Sequence, residues 1–423
     1  MKKTLLLIIT LLTTTLAATA QKFVGGDISL LPSYEANGAK YLDKDGKTIT
    51  GGMINYFKAQ GWNAMRVRLF VDPSKAPTDD KGEGVRQDLA YVKALGKQIK
   101  DAGLSFMLDF HYSDTWTDPG QHSTPSAWTS SDPEVLANTV YEYTKDCLNQ
   151  LIAAGATPDF VQPGNEITYG MMWPTGHCYP NGGNYGTGTF ANFAKYLKAG
   201  IKAIREVTPQ AKVVIQTEMS KNVNVTNFYN TLKSYTDDYD VIGLSYYPHY
   251  HGPLTNLTSL LATLQTTYPN KKIQLVETGF FHNYYPDDAK FDIASNFPTW
   301  KATDAGQLQF TKDLINALKK YDNVDGLYWW FPEGNEFGLD WNTKRVTDKW
   351  YNASLFNNQT GKAQQALYEL KNFNPSSTGI EAVKADAAAQ QDDHWYTIDG
   401  RRLTGKPSQK GIYVNGGRKV VMK

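Results

Sequence analysis

Cysteine is nearly absent: Cys147 and Cys178 are the only two in 423 residues, so a disulfide framework is excluded as the source of stability. An excess of charge of one sign is also missing. The 43 Lys and Arg offset 42 Asp and Glu, a net charge of +1, and no nucleic acid or membrane surface is expected as a partner. Beyond the N-terminus no apolar run is long enough to cross a bilayer. No phosphate loop, nucleotide fingerprint or Ser-His-Asp signature appears. What is abundant is aromatic: 13% of residues, with 10 Trp and 26 Tyr. Sugar rings stack on aromatic faces, so a carbohydrate site would use them; a large aromatic core would use them too. At 41% hydrophobic and 20% charged, the chain has the composition of a soluble globular protein.

The first 20 residues read as a signal peptide. Lys2 and Lys3 give a basic start, Leu5 to Leu12 an apolar stretch, and Ala18-Thr19-Ala20 a cleavage site. Cleavage near Ala20 would leave a mature chain from Gln21, exported to the surface, the periplasm or the medium. No Cys follows the apolar stretch, so a lipid anchor is not expected there. Cys147 shares a helical face with Leu136, Val140, Tyr143 and Leu151, and Cys178 sits in a Gly/Pro-rich loop. Two free thiols are expected.

Strand-like and helix-like runs alternate from about residue 23 to 373. Strands are expected at Phe23–Ser29, Ala64–Phe70, Leu104–His111, Phe160–Pro163, Lys212–Thr217, Val241–Tyr246, Lys272–Glu277 and Asp325–Trp330. Between them apolar residues recur at helical spacing, as in Val85, Leu89, Val92 and Ile99, or Phe190, Phe193, Leu197, Ile201 and Ile204. Eight βα units in this length predict an α/β chain folded as a (β/α)8 TIM barrel over residues 21–373. The rival, an open doubly wound sheet, lacks the G-x-G-x-x-G that its first strand would carry. Segments following strands are long, as in Tyr112–Ser131, Ile167–Gly188 and Thr278–Thr303, whereas those preceding strands are short. The long loops therefore gather on the C-terminal face, where barrel enzymes keep their sites.

Composition shifts at Asn374-Pro375-Ser376-Ser377-Thr378-Gly379. Residues 374–394 read as a linker and 395–423 as a small C-terminal β module, with turns at Asp399-Gly400 and Asn415-Gly416-Gly417. Arg401, Arg402, Lys406, Lys410, Arg418, Lys419 and Lys423 make it basic. It resembles short appendages of secreted bacterial proteins that aid export or surface retention; the competing reading is a solvated stabilising tail.

Two carboxylates stand out by position. Glu166 ends the fourth strand in Gln162-Pro163-Gly164-Asn165-Glu166, and Glu277 ends the seventh in Gln274-Leu275-Val276-Glu277. Retaining glycosidases use two carboxyls about 5 Å apart, one as acid/base and one as nucleophile. The acid needs a pKa raised by burial or a second negative charge. The nucleophile must stay ionised, and Arg68 at the end of the second strand is the expected cation; the alternative is a structural pair of Arg68 with Asp27 or Glu218. Asn165 is placed to bond a sugar 2-hydroxyl.

Asn-Glu ending strand four and Glu ending strand seven resemble the large retaining clan of (β/α)8 glycoside hydrolases. Leu108-Asp109-Phe110-His111-Tyr112-Ser113-Asp114-Thr115-Trp116-Thr117-Asp118-Pro119-Gly120-Gln121 resembles the third-strand signature of family 53, the endo-β-1,4-galactanases. Gly25-Gly26-Asp27-Ile28-Ser29 and Ile242-Gly243-Leu244-Ser245-Tyr246-Tyr247-Pro248 are similar to it too. The resemblance implies Glu166 as acid/base and Glu277 as nucleophile. It implies that Arg68, His111, Asp114, Trp116, Asn165, Tyr246, His251 and Trp330 line sugar subsites. It further implies hydrolysis of β-1,4-galactan, the side chain of pectic polysaccharide. The alternatives are the same mechanism on mannan, xylan or glucan, and a non-catalytic surface protein that binds polysaccharide. At strand eight the chain departs from the family's Trp-Glu-Pro, reading Trp330-Phe331-Pro332-Glu333. No cofactor is required for such chemistry, and a monomer is expected. Some relatives hold a structural calcium near the loop after strand seven. Asp287, Asp288 and Asp292 could supply oxygens for it, the alternative being a solvated acidic loop. His249 and His251 read as substrate or core residues rather than zinc ligands.

Overall fold

A computed structural model describes residues 21–219, 221–285, 289–292, 295, 297–374, 395–397, 403–415 and 418–422. The expected signal peptide and most of the expected linker lie outside the described residues. Eight parallel strands close into a barrel in chain order: β1 (Phe23–Asp27), β2 (Ala64–Leu69), β3 (Ser105–Phe110), β4 (Phe160–Pro163), β5 (Lys212–Glu218), β6 (Val241–Tyr246), β7 (Lys272–Thr278) and β8 (Val324–Trp330). β8 pairs back onto β1, from Phe23 with Gly326 to Asp27 with Trp330. Each expected strand is present, with no end moved by more than two residues. Around them run α1 (Met53–Ala59), α2 (Leu89–Asp101), α3 (Pro133–Ala153), α4 (Phe190–Val207), α5 (Asn222–Leu232), α6 (Leu254–Thr267), α7 (Asp304–Leu318) and α8 (Gln365–Glu369).

Local chemistry sets the helix starts. The Asp88 carboxylate accepts from Tyr91 N at 2.8 Å, so α2 begins at Leu89 and leaves Val85 in the preceding loop. Thr189 caps α4 through Asn192 N at 3.1 Å, and the whole stripe Phe190, Phe193, Leu197, Ile201 and Ile204 is buried. Cys147 in α3 and Cys178 in the loop after β4 are free and buried.

Strand alternation divides each strand between two environments. On β2, Met65, Val67 and Leu69 pack outward against the helices. Ala64, Arg66 and Arg68 lie on the opposite, inward face. At the N-terminal end of the barrel the interior is apolar: Ala64, Met107, Phe160, Val214, Val241, Val276 and Tyr328 form one cluster with Phe23 against it. Phe23 meets Phe160 edge-on at 4.8 Å. One rung higher the interior turns polar.

β7 breaks the alternation. Leu244 pairs with Leu275, but Ser245 pairs with Glu277, so Val276 is an extra residue in the strand. Simple alternation would aim Glu277 outward with Ile273 and Leu275; the bulge turns it to the inside. Bulges re-aim side chains in this way at barrel rims.

The chain divides into two compact units, residues 1–377 and 378–423. In the second, Trp395–Thr397, Gly411–Asn415 and Arg418–Met422 form a three-stranded antiparallel sheet with the middle segment at its centre.

Candidate active site

Polar residues that alternation sends inward from β1 to β6 meet in a buried network. Arg66 is its centre. Its guanidinium reaches Asp27 Oδ2 at 3.0 Å, Asp109 Oδ2 at 2.7 Å and Asn165 Oδ1 at 2.8 Å. It also lies 2.9 Å from Glu277 Oε1. Burial opposes the charge of Arg66, yet Asp109, Glu277 and Asp27 outweigh it and raise its pKa. Burial likewise opposes the charge of Asp109, but Arg66 and His111 pull its pKa below the ordinary value.

Glu277 is held at both oxygens. Gln216 Nε2 donates to Oε1 at 3.0 Å and the Tyr247 hydroxyl to Oε2 at 3.0 Å. Gln216 is fixed in turn: its Nε2 also reaches Ser245 Oγ at 2.9 Å, and its Oε1 accepts from Gln162 at 2.5 Å and from Glu166 N at 3.1 Å. The carboxylate therefore keeps one orientation.

Glu166 differs in every respect. Its backbone is left-handed, φ 46° and ψ 47°, a conformation that costs a non-glycine residue about 1–3 kcal/mol and clusters at functional sites. Burial and then the negative charge of Glu277 push its carboxyl well above the usual range, against a hydrogen bond from Ser245. Two neighbouring carboxyls thus have opposed environments: one is braced by a cation and two donors, the other is buried beside a negative charge. That divergence is the mark of an acid and a base held in one site.

Both open into a cleft of about 460 Å³ at the C-terminal mouth. Arg68, His111, Trp116, Asn165, His251 and Trp330 line it, as the sequence leads one to expect. Arg68 pairs with Asp27 at 3.0 Å, and its guanidinium sits over Trp116 at 4.7 Å and Trp330 at 5.7 Å. His111 Nδ1 accepts from Thr117, at 2.8 Å from its hydroxyl. Asn165 donates to the Thr117 carbonyl at 2.6 Å, which leaves it one N–H. His251 Nδ1 accepts from Tyr247 N at 2.9 Å, and burial lowers its pKa to about 3. It is neutral, so its approach to Glu218 at 3.7 Å is not an ion pair.

Three expectations need correction. The cation beside Glu277 is Arg66, not Arg68: both point inward, but Arg66 is one rung deeper and reaches the centre, while Arg68 is taken by Asp27 and the two indoles. Tyr246 does not line the cleft; it faces outward with Ile242 and Leu244 in the helix-packed core and bonds the Gly252 carbonyl at 2.8 Å. Tyr247, the next residue, takes the place expected of it. Asp114 is outside the cleft lining as well. Its carboxylate accepts from Asp72 N at 3.1 Å and Ser126 N at 2.8 Å, tying two loops together.

Arg66, Asp109, Gln216, Tyr247 and Trp350 were missed by the sequence reading. The signal for the first three was strand parity, since each lies two residues from an inward apolar position. Trp350 comes from the long segment 331–364 after β8, which also brings Thr347 and Lys349 to the cleft. In the same segment, the strand-eight departure leaves Glu333 buried, accepting from Leu30 N at 2.8 Å, with burial and then Asp27 raising its pKa to about 8. Trp330 keeps its place in the cleft. For the acidic loop after β7, Asp287 and Asp288 lie outside the described residues. Asp292 accepts from Ser295 Oγ at 2.5 Å. Among the described residues no group of three or more His, Cys, Asp or Glu is arranged to hold a metal.

An eight-stranded barrel with two carboxyls of opposed character, indoles around them and a cleft at its C-terminal mouth defines a (β/α)8 glycoside hydrolase. Residues 23–370 match the model of glycosyl hydrolase family 53, and the chain belongs to that family. A probable arabinogalactan endo-β-1,4-galactanase A of Neosartorya fischeri is 32% identical over 341 residues, 78% of this chain and 89% of its own. The catalytic domain of a family 53 hydrolase from Ignisphaera aggregans superposes with a TM-score of 0.73 at 29% identity, covering 84% of this chain and 96% of that one. A fungal β-1,4-galactanase gives 0.69 at 27% identity, covering 83% and 99%.

Proposed function

We propose that the protein hydrolyses β-1,4-galactosidic bonds of pectic galactan and arabinogalactan outside the cytoplasm, with retention of configuration. The observation that carries this reading is the opposed setting of the two carboxyls. A carboxylate fixed by Arg66, Gln216 and Tyr247 suits attack on the anomeric carbon. A buried carboxyl kept protonated suits donation to the leaving oxygen. In the first step a Glu277 oxygen bonds to C1 as the glycosidic C1–O bond breaks, and the departing oxygen takes the Glu166 proton. In the second, Glu166, now a carboxylate, takes a proton from water. The water oxygen bonds to C1, releasing Glu277 and restoring the Glu166 proton. Neither step calls for a cofactor, because acid, base and nucleophile are all carboxyl groups, and all belong to one chain.

Trp116, Trp330 and Trp350 offer ring faces for sugars, while Arg68, His111, Asn165 and His251 offer hydrogen bonds at the subsites. The names borne by family relatives support galactan as substrate, and the Lys2–Ala20 pattern supports export. Among the described residues no helix is long and apolar enough to cross a membrane.

The test is product analysis on purified galactan, arabinogalactan, mannan, xylan and β-glucan, with NMR of the first-formed ends. Cleavage of galactan with initial release of the β-anomer is expected. Preferential cleavage of another glycan would overturn the substrate, and initial α-anomer the two-step mechanism.

A further inference from the structure

A second concavity of about 350 Å³ lies beside the cleft, where the Thr78–Gly82 helix meets the segment after β8. Its lining joins an aromatic ring to cations. Trp341 is 40% exposed; Tyr351 meets it edge-to-face at 5.4 Å, and the Arg345 guanidinium lies over its ring at 4.8 Å, which leaves the other face for a ligand. Lys81, Arg86 and Arg345 face one acid, Asp348, which pairs with Arg345. That leaves two positive charges in excess.

Arg86 is the telling member. It is half-buried, donates to the Val346 carbonyl at 2.7 Å, and makes no ion pair with a carboxylate among the described residues. Burial lowers its pKa, so its charge is poorly compensated. Among the described residues, Lys81 donates to the Ser74 carbonyl at 2.7 Å and makes no ion pair. A half-buried guanidinium without an acid, next to an exposed indole, is suited to a ligand with both a carboxylate and an apolar ring face.

The concavity and the cleft are lined by alternating residues of one segment. Thr347 and Lys349 line the cleft, whereas Arg345 and Asp348 line the concavity. On the cleft side, Lys349 pairs with Glu83 at 2.6 Å. A ligand here would therefore neighbour a polysaccharide lying in the cleft.

We propose that this concavity is a second carbohydrate site that takes an acidic sugar, a uronate of the polymer whose neutral chain lies in the cleft. The inference rests on the proposed polysaccharide substrate. The uronate ring stacks on Trp341 and its carboxylate meets Arg86 and Lys81. The site would favour galactan chains still attached to an acidic backbone over free neutral chains.

The test is calorimetric titration of the full-length protein with tetragalacturonate at low salt, beside its carboxyl-reduced, uncharged counterpart. Saturable binding of the acid form is expected. The reduced form should bind at least about tenfold more weakly, a difference near 1.4 kcal/mol, and added salt should weaken the acid form further. Trp341→Ala and Lys81→Ala, both at exposed positions outside the cleft, should each lower affinity about three- to tenfold. Both should leave hydrolysis of neutral galacto-oligosaccharides unchanged while raising KM, and not kcat, on galactan attached to its acidic backbone. No saturable binding, equal binding of the reduced form, or undiminished binding by both variants would overturn the site. Failure to cleave galactan would overturn the substrate reading instead, and the titration reads the site independently of it.

Discussion

The two ends of the barrel interior are built from the same strands, and two residues separate their chemistries. On β2 the step is from Ala64 to Arg66, on β3 from Met107 to Asp109, on β4 from Phe160 to Gln162 and on β5 from Val214 to Gln216. The lower rung is close-packed hydrocarbon and stabilises by burial. The upper rung is a network of buried charges, in which each group is tolerable only because the others are present. The lower rung should thus answer to volume and the upper to charge, and substitutions in each should fail differently.

The sharpest contrast is expected at the carboxyls. Glu277→Gln keeps the shape and both hydrogen-bonded positions but removes the nucleophile. Turnover should fall at least about a thousandfold on natural and activated substrates alike. Glu166→Ala should cost about a hundred- to ten-thousandfold on galactan, yet spare the first step for an aryl galactoside whose leaving group needs no proton. Near-normal activity of Glu277→Gln, with native circular dichroism, would remove the mechanism.

Next come the two rungs themselves. Arg66→Met leaves Asp27, Asp109 and Glu277 buried without their shared cation, and breaking such a pair costs about 3–5 kcal/mol. Stability and kcat should fall together. Phe160→Ala should cost a similar 3–5 kcal/mol through its cavity, while kcat per folded molecule holds within a few-fold. Denaturant melts paired with active-site titration measure both. Equal loss of kcat in the two variants would erase the distinction.

Smaller effects concern pH. Because the Glu166 carboxyl titrates above the usual range, kcat/KM should fall on the alkaline side as it loses its proton. That limb should vanish in Glu166→Ala assayed with an activated substrate. Glu333 affects stability rather than rate. Its folded pKa, about 8, is above the ordinary 4.5. Its stabilising contribution is therefore full below about pH 4.5 and declines as pH rises towards 8. Glu333→Gln, which can still accept from Leu30 N, should flatten the melting temperature across that window; an unchanged slope would assign the pH dependence to other groups.

The smallest effect is expected from the C-terminal unit, whose described residues contribute none of the eight strands or the cleft lining. Ending the chain after about residue 378 should leave kcat/KM on galacto-oligosaccharides within a few-fold. A soluble, folded truncation without activity would show that the unit serves the site.

Alternating apolar strands, helical stripes and the lengths of the intervening loops are properties of the chain itself. They sufficed for the barrel, for its order, and for Glu166 and Glu277 as strand-end acids on the loop face. Parity could have added Arg66, Asp109 and Gln216, because a polar residue two steps from an inward apolar one must also point inward. Tyr246 was misplaced by ignoring that same parity. Some things lay beyond any local pattern. The extra residue at Val276 reverses the direction of Glu277, and only the register between β6 and β7 reveals it. Whether Arg66 or Arg68 braces the nucleophile depends on which reaches the barrel axis, and so on strand tilt and stagger. The raised pKa of Glu166 exists only when Glu277, 111 positions further along the chain, is folded beside it. The sequence by itself determined which residues could be charged and, where alternation runs unbroken, which faces they occupy. Their protonation and their partners were decided by tertiary structure, because burial and Coulomb interaction depend on distances through space that no spacing along the chain records.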